Sequence, residues 1–137
     1  MKKLGMLLLL SGATLFAACS RNDDNNAVNP GPVAASGTWR VTLFSERGGD
    51  ETSDFSGYTF TFADGGTATA AKGGTSKTGS WSSSSKKFNI DFGVKSDANK
   101  PLGELTDDWL VISASSTEIK LRDDNSSSAE YLTFTKN

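Results

Sequence analysis

The run Tyr58-Thr59-Phe60-Thr61-Phe62 places an aromatic ring at every second position with threonines between. Successive side chains of an extended chain point to opposite faces, so as a strand this segment has one apolar and one polar face, and as a helix it has neither. The same period of two recurs from Gly37 to the C-terminus, broken by turn residues every eight to twelve positions, and no helical period is sustained. The expectation is an all-β, antiparallel domain.

The first expected strand is Thr38 to Ser45, with Trp39, Val41 and Leu43 on one face and Arg40 and Thr42 on the other. Glu46 to Ser56 reads as a polar connection containing Gly48-Gly49, without the apolar residues of a lid. After the aromatic strand, Asp64-Gly65 signals a hairpin because both residues tolerate positive φ. Thr67 to Lys72 alternates Thr with Ala, Gly73-Gly74 turns the chain, and Lys77 to Ser82 forms a strand with Gly79 and Trp81 on one face. Lys87 to Phe92 turns Phe88, Ile90 and Phe92 inward, and Leu102 and Leu105 fold back from the loop Gly93 to Asp108 as a plug. Trp109 to Ala114 is nearly continuous in apolar residues, which predicts a strand covered on both sides or central in the sheet. Thr117 to Arg122 and Ala129 to Lys136 complete the set, with Ile119, Leu121, Leu132 and Phe134 inward. About eight antiparallel strands in about 100 residues predict a small up-and-down barrel or a strongly curved sandwich, because closure removes edges that would pair with other chains.

The N-terminus has a different character. Lys2 and Lys3 precede an apolar stretch from Leu4 to Phe16, and Ala17-Ala18 put small residues before Cys19, the only cysteine of the 137 residues. That is a secretory signal, too short to span a bilayer as a helix. Leu15-Phe16-Ala17-Ala18-Cys19 resembles a bacterial lipobox, with Phe16 where Leu is usual. The resemblance implies acylation of the Cys19 sulfur by a palmitate-type chain, cleavage before Cys19, and acylation of the new amino group. Each buried methylene adds about 0.8 kcal/mol to membrane affinity, so several chains anchor permanently. Residues 1–18 are thus expected to be a lipoprotein signal peptide, 19–36 the lipidated Cys and a flexible tether, and 37–137 the barrel. Cleavage removes Lys2 and Lys3 and no acidic residue, leaving 12 basic against 16 acidic groups and a formal charge of −4. The tether, SRNDDNNAVNPGP from Ser20 to Pro32, has almost nothing to bury. Its Asp23-Asp24 resembles the acidic signal that exports some Gram-negative lipoproteins to the cell surface, and serves equally as a soluble linker. The expected location is the cell envelope, anchored to the outer membrane on its periplasmic face or at the cell surface.

With no His in the sequence, a Ser-His-Asp triad, a Cys-His dyad and a His/Cys zinc site are excluded. A formal charge of −2 and a pI near 5.1 argue against a nucleic-acid partner. Glu46, Asp50, Glu51 and Asp54 share one loop, yet proximity in sequence does not set two carboxylates facing each other across a sugar. Asp107-Asp108 and Asp123-Asp124-Asn125 lack the alternating spacing and Gly of a calcium loop and read as turns. Gly65-Gly66 and Gly73-Gly74 are hairpin turns, with no following helix to make a phosphate loop. Lys72, Lys77, Lys86 and Lys87 form a locally positive patch that suits a lipopolysaccharide phosphate, an acidic partner or simply water. No enzyme chemistry, cofactor or metal is expected.

Gly37-Thr38-Trp39, Tyr58 to Phe62 with Asp64-Gly65-Gly66, Gly79-Ser80-Trp81, Asp108-Trp109-Leu110-Val111, Thr117 to Leu121 and Tyr131-Leu132-Thr133-Phe134 together resemble the small lipocalin-like domains of bacterial envelope lipoproteins. The resemblance implies a barrel that binds a small apolar ligand or an envelope component. Trp39, Tyr58, Phe60, Phe88 and Trp109 are then the candidate ligand-binding residues, in a set that also holds Phe62, Trp81 and Phe92. The same rings serve equally as a packed core, because an eight-stranded barrel is just wide enough for its own side chains. In that case the domain is a protein-interaction or structural module.

Overall fold

A computed structural model describes residues 29–137; the signal segment, Cys19 and the tether through Val28 lie outside them. Nine strands follow one another: β1 Thr38–Glu46, β2 Gly49–Asp50, β3 Thr59–Phe62, β4 Thr67–Lys72, β5 Thr75–Ser83, β6 Lys87–Asp91, β7 Asp107–Ala114, β8 Glu118–Asp123 and β9 Tyr131–Lys136. Neighbours pair antiparallel, and β1 also pairs β9 from Trp39↔Lys136 to Ser45↔Tyr131, so that eight strands close a barrel. β2 is an extra two-residue strand that only extends β1. The expected up-and-down barrel is the observed fold.

The hairpins follow their turn chemistry. Gly73 and Gly74, at φ 58° and 82°, join β4 to β5 with positive φ at both positions, the pattern whose twist matches the flanking strands. Between β3 and β4 the turn spans Ala63 to Gly66, and the positive φ falls on Gly66 rather than on Asp64-Gly65.

Two β-bulges change which residues face inward. Between Val41 and Leu43 the β1–β9 register shifts, so Leu43, expected inside, faces solvent at 38% exposure and Phe44 is buried instead. A bulge sets two residues against one and flips every later side chain to the other face. A second shift between Val111 and Ser113 leaves Ile112 50% exposed, so β7 is not covered on both sides beyond Trp109.

The loops carry apolar plugs. A 3-10 turn at Thr52–Phe55 buries Phe55 edge-on against Phe44, ring centroids 5.2 Å apart, which corrects the expectation of a connection without apolar residues. It fills a gap that opens where β1 leaves β3 after two residue pairs, and Phe44 N donates to Thr52 Oγ1 there. Leu102 and Leu105, on a 3-10 turn at Leu102–Leu105, plug the barrel as expected. At the other rim a helical turn, α1 Gly31–Ala34, buries Ala34, whose carbonyl accepts from Trp39 Nε1 at 2.9 Å. The chain therefore packs against the barrel from α1 onward, earlier than the boundary at residue 37 expected from composition.

Gly79 faces inward on β5, and a Cβ there would lie 2.2 Å from the Asp91 carbonyl oxygen and 2.8 Å from the Phe92 ring. Gly79→Ala is expected to cost about 2 kcal/mol, the scale of overpacking a core, read from the urea midpoint. An unchanged midpoint would mean that β5 and β6 can separate there without loss.

Candidate functional site

Four of the five residues expected to bind a ligand lie in the core. Trp39, Phe60, Phe88 and Trp109 are fully buried, and Trp109 Nε1 is satisfied by Leu105 O at 2.9 Å. Phe60 packs edge-on against Phe92 and Phe134, and Phe88 meets Phe62 at 5.3 Å and 86°. Such edge-to-face contacts contribute beyond area burial. Tyr58, half-buried just before β3, is the one candidate that lines a surface cleft.

That cleft, about 440 Å³, opens at the rim carrying the β4–β5 turn and the Gly93–Thr106 loop. Lys72 and Lys77 flank the turn, Asn99 and Lys100 come from the loop, Thr75 and Ser76 add hydroxyls, and none of these described lining residues is acidic. Lys77 occupies an inward register on β5, in step with Gly79 and Trp81. Its Nζ donates to Asn99 Oδ1. The Asn99 amide is held in turn, with Nδ2 donating to Phe92 O at 3.1 Å and Val94 O at 2.9 Å. Lys72 sets its ammonium 5.0 Å from the centre of the Tyr58 ring, a cation–π contact. Lys100 lies 3.4 Å from Asp97 and 3.9 Å from Glu104, and the Asp97 contact holds its pKa above the usual value.

The positive patch expected from sequence is divided between the two rims. Lys86 and Lys87 follow the β5–β6 turn at the opposite rim, and Lys87 pairs with Asp124 at 2.9 Å. Asn99 and Lys100 were not legible as site residues. Counting back from Gly79 by two does place Lys77 inward, and that was the available signal.

The acidic residues separate into local arrangements. Glu46 ends β1, and Asp50, Glu51 and Asp54 lie between it and β3, where Asp50 accepts from Thr52 N at 2.9 Å and is held below its usual pKa by Thr52. Asp107, Asp123 and Asp124 bring carboxylate oxygens within 4.8 Å of one another, but Lys95 pairs with Asp107 at 3.0 Å and Lys87 with Asp124.

No protein-family model and no curated protein matches the chain. Among solved structures, the chain is similar to the crystal structure of a DUF4847 family protein from Bacteroides vulgatus ATCC 8482, with 19% identity, 77% of this chain and 96% of that chain covered, and a TM-score of 0.58. At that identity the likeness is one of fold, a small antiparallel β-barrel.

Asp123 and Glu130 are both buried where β8 turns into β9. Burial, reinforced by the hydrogen bond to Asp123, pushes the Glu130 carboxyl up to about 7. Burial acts in the same direction on Asp123 but is outweighed by hydrogen bonds from Ser128, the Asn125 amide and Glu130, which bring it down to about 2. Glu130 holds its proton more tightly folded than unfolded, so its contribution to stability is fully present below the ordinary glutamate value of 4.5 and is lost as pH rises through about 7. Asp123 works the other way, its contribution present above 3.8 and lost as pH falls toward 2. Glu130→Gln keeps a neutral donor toward Asp123. It is expected to flatten the fall of the urea midpoint between about pH 5 and pH 8, whereas an unaltered slope would assign that fall to another group.

Proposed function

We propose that this chain is a lipid-anchored, non-enzymatic protein of the bacterial cell envelope, held to the outer membrane through Cys19, whose lipocalin-like barrel binds through its rims and outer faces. The filled interior carries this reading. A carrier of a small apolar ligand needs free volume beside Trp39, Phe60, Phe88 and Trp109; all four are fully buried, Trp109 packs on Phe44, Phe60 on Phe134, and Phe88 on Phe62 and Phe134. With the interior occupied by the chain itself, recognition falls to the surface, as in a protein-interaction module. The signal segment, the single cysteine after Ala17-Ala18 and the polar tether support the anchor. The lack of any His removes the His-dependent forms of acid–base and nucleophilic catalysis.

Two measurements test the two halves of the proposal. Cys19→Ser is expected to abolish incorporation of labelled palmitate and to leave the protein unprocessed or released, and continued incorporation would refute the anchor. Native mass spectrometry of the protein from its own host, with melting before and after lipid extraction, is expected to show no apolar guest and no change in Tm. A guest whose removal lowers the Tm would establish carriage instead, because a ligand that binds only the folded state stabilises it by mass action.

A further inference from the structure

We propose that the cleft between Lys72, Lys77 and Lys100 binds the phosphate group of a phosphorylated ligand. The proposal rests on the reading of the barrel as a surface binder and gives that surface a site and a ligand chemistry.

Charge is the first ground. The chain is acidic overall, yet this cleft gathers three lysines and no acidic lining residue. Among the described residues, neither Lys72 nor Lys77 forms an ion pair; Lys72 faces a tyrosine ring and Lys77 a neutral amide oxygen. A lysine at an inward register of a strand gives up hydration that a carboxylate partner would normally offset. Here the recorded partner is the neutral Asn99 Oδ1.

Preorganisation is the second ground. Asn99 is fixed by donating to two backbone carbonyls, so its Oδ1 has one direction left and holds the Lys77 ammonium at the cleft wall. The glycines around it leave the necessary space: a Cβ at Gly103 would lie 2.9 Å from Asn99 Nδ2 and one at Gly93 3.1 Å. Lys72 is laid against Gly57 and the Tyr58 ring, with its Cε 3.4 Å from where a Gly57 Cβ would stand. A site built this way spends less on ordering side chains when it binds.

The charge count selects the ligand. A phosphomonoester carries close to two negative charges near neutral pH and three acceptor oxygens. Two ammonium groups without carboxylate partners match that dianion, and Thr75 and Ser76 supply hydroxyl donors beside them. Lysine binds phosphate as a point charge and does not need a forked geometry. A volume of about 440 Å³ suits a small phosphoester or a headgroup. Asn29, the first described residue, accepts from Ser83 Oγ at 2.9 Å on the rim away from the cleft.

The test uses the full chain in a neutral detergent and isothermal titration calorimetry. Inorganic phosphate and glycerol 3-phosphate form the solution arm, and mixed micelles doped with phosphatidic acid form the lipid arm. Saturable binding is expected in solution, weakened at least about tenfold in a Lys72→Gln/Lys77→Gln double variant, the scale of losing charge-assisted hydrogen bonds, and unchanged in Lys86→Gln at the opposite rim. Lys72→Gln alone, at a residue exposed on the strand end, keeps the test valid if the inward Lys77 variant fails to fold, and is expected to weaken binding severalfold. Binding confined to doped micelles supports the site and assigns its phosphate to a lipid headgroup. Absence of binding in both arms, equal binding by the double variant, or equal affinity for acetate overturns the proposal. An apolar guest found by mass spectrometry would sink the filled-interior reading and leave this result standing, so the two failures are distinguishable.

Discussion

The closed barrel depends on aromatic rings meeting across its interior. Phe60 and Phe62 from β3, Trp81 from β5, Phe88 from β6 and Phe134 from β9 form one connected set, with centroid distances from 5.3 to 6.5 Å. These strands stand on different sides of the barrel, so the rings tie together segments that the hydrogen-bond ladder joins only step by step. Ladder bonds alone contribute modestly, because the unfolded chain makes equivalent bonds to water. Removal of these rings from water is what favours closure.

Filling by large rings requires small residues opposite them. β4 turns Ala68 and Ala70 inward and β5 turns Gly79, and each lies where Phe60, Phe62 or Phe92 needs the volume. This is why Gly66 to Ser85 is so poor in large apolar side chains while belonging to the middle of the sheet. Alternating small and large residues fit the taper of a small barrel. Trp81 is held at the edge of this arrangement by donating Nε1 to Ala63 O at 2.8 Å.

Period two was a sufficient guide to several strands but not to the end of the first, where Trp39, Val41 and Leu43 alternate with Arg40 and Thr42 and Leu43 nonetheless faces solvent. Tyr58 to Phe62, Lys87 to Phe92 and Thr117 to Arg122 each align with an observed strand and with the expected inward face, and Thr67 to Lys72 aligns with β4. The bulges at Val41/Leu43 and Val111/Ser113 were illegible because each sits among adjacent apolar residues, where either register reads as amphipathic. Phe55 was hidden for another reason: its burial depends on the gap left when β1 parts from β3, a tertiary event with no local signature. The same applies to Asn99, whose part in the cleft is set by a loop that returns to the rim only because Leu102 and Leu105 are buried there.

The register that fills the barrel also places charge at its rim. Along β5 the inward positions run Trp81, Gly79, Lys77, and the apolar interior ends between the last two, where the Phe92 ring covers Gly79 and Asn99 meets Lys77. An inward lysine is tolerable only at that boundary, with its stem against protein and its ammonium toward water. A slip of one residue would turn Thr78 and Ser80 inward and put both Trp81 and Lys77 outside. The packing of the core and the position of the ammonium are therefore fixed by one pairing, Lys77 against Ala70 on β4. The register that packs the interior therefore also sets which polar side chains reach this rim, although they lie beside a turn.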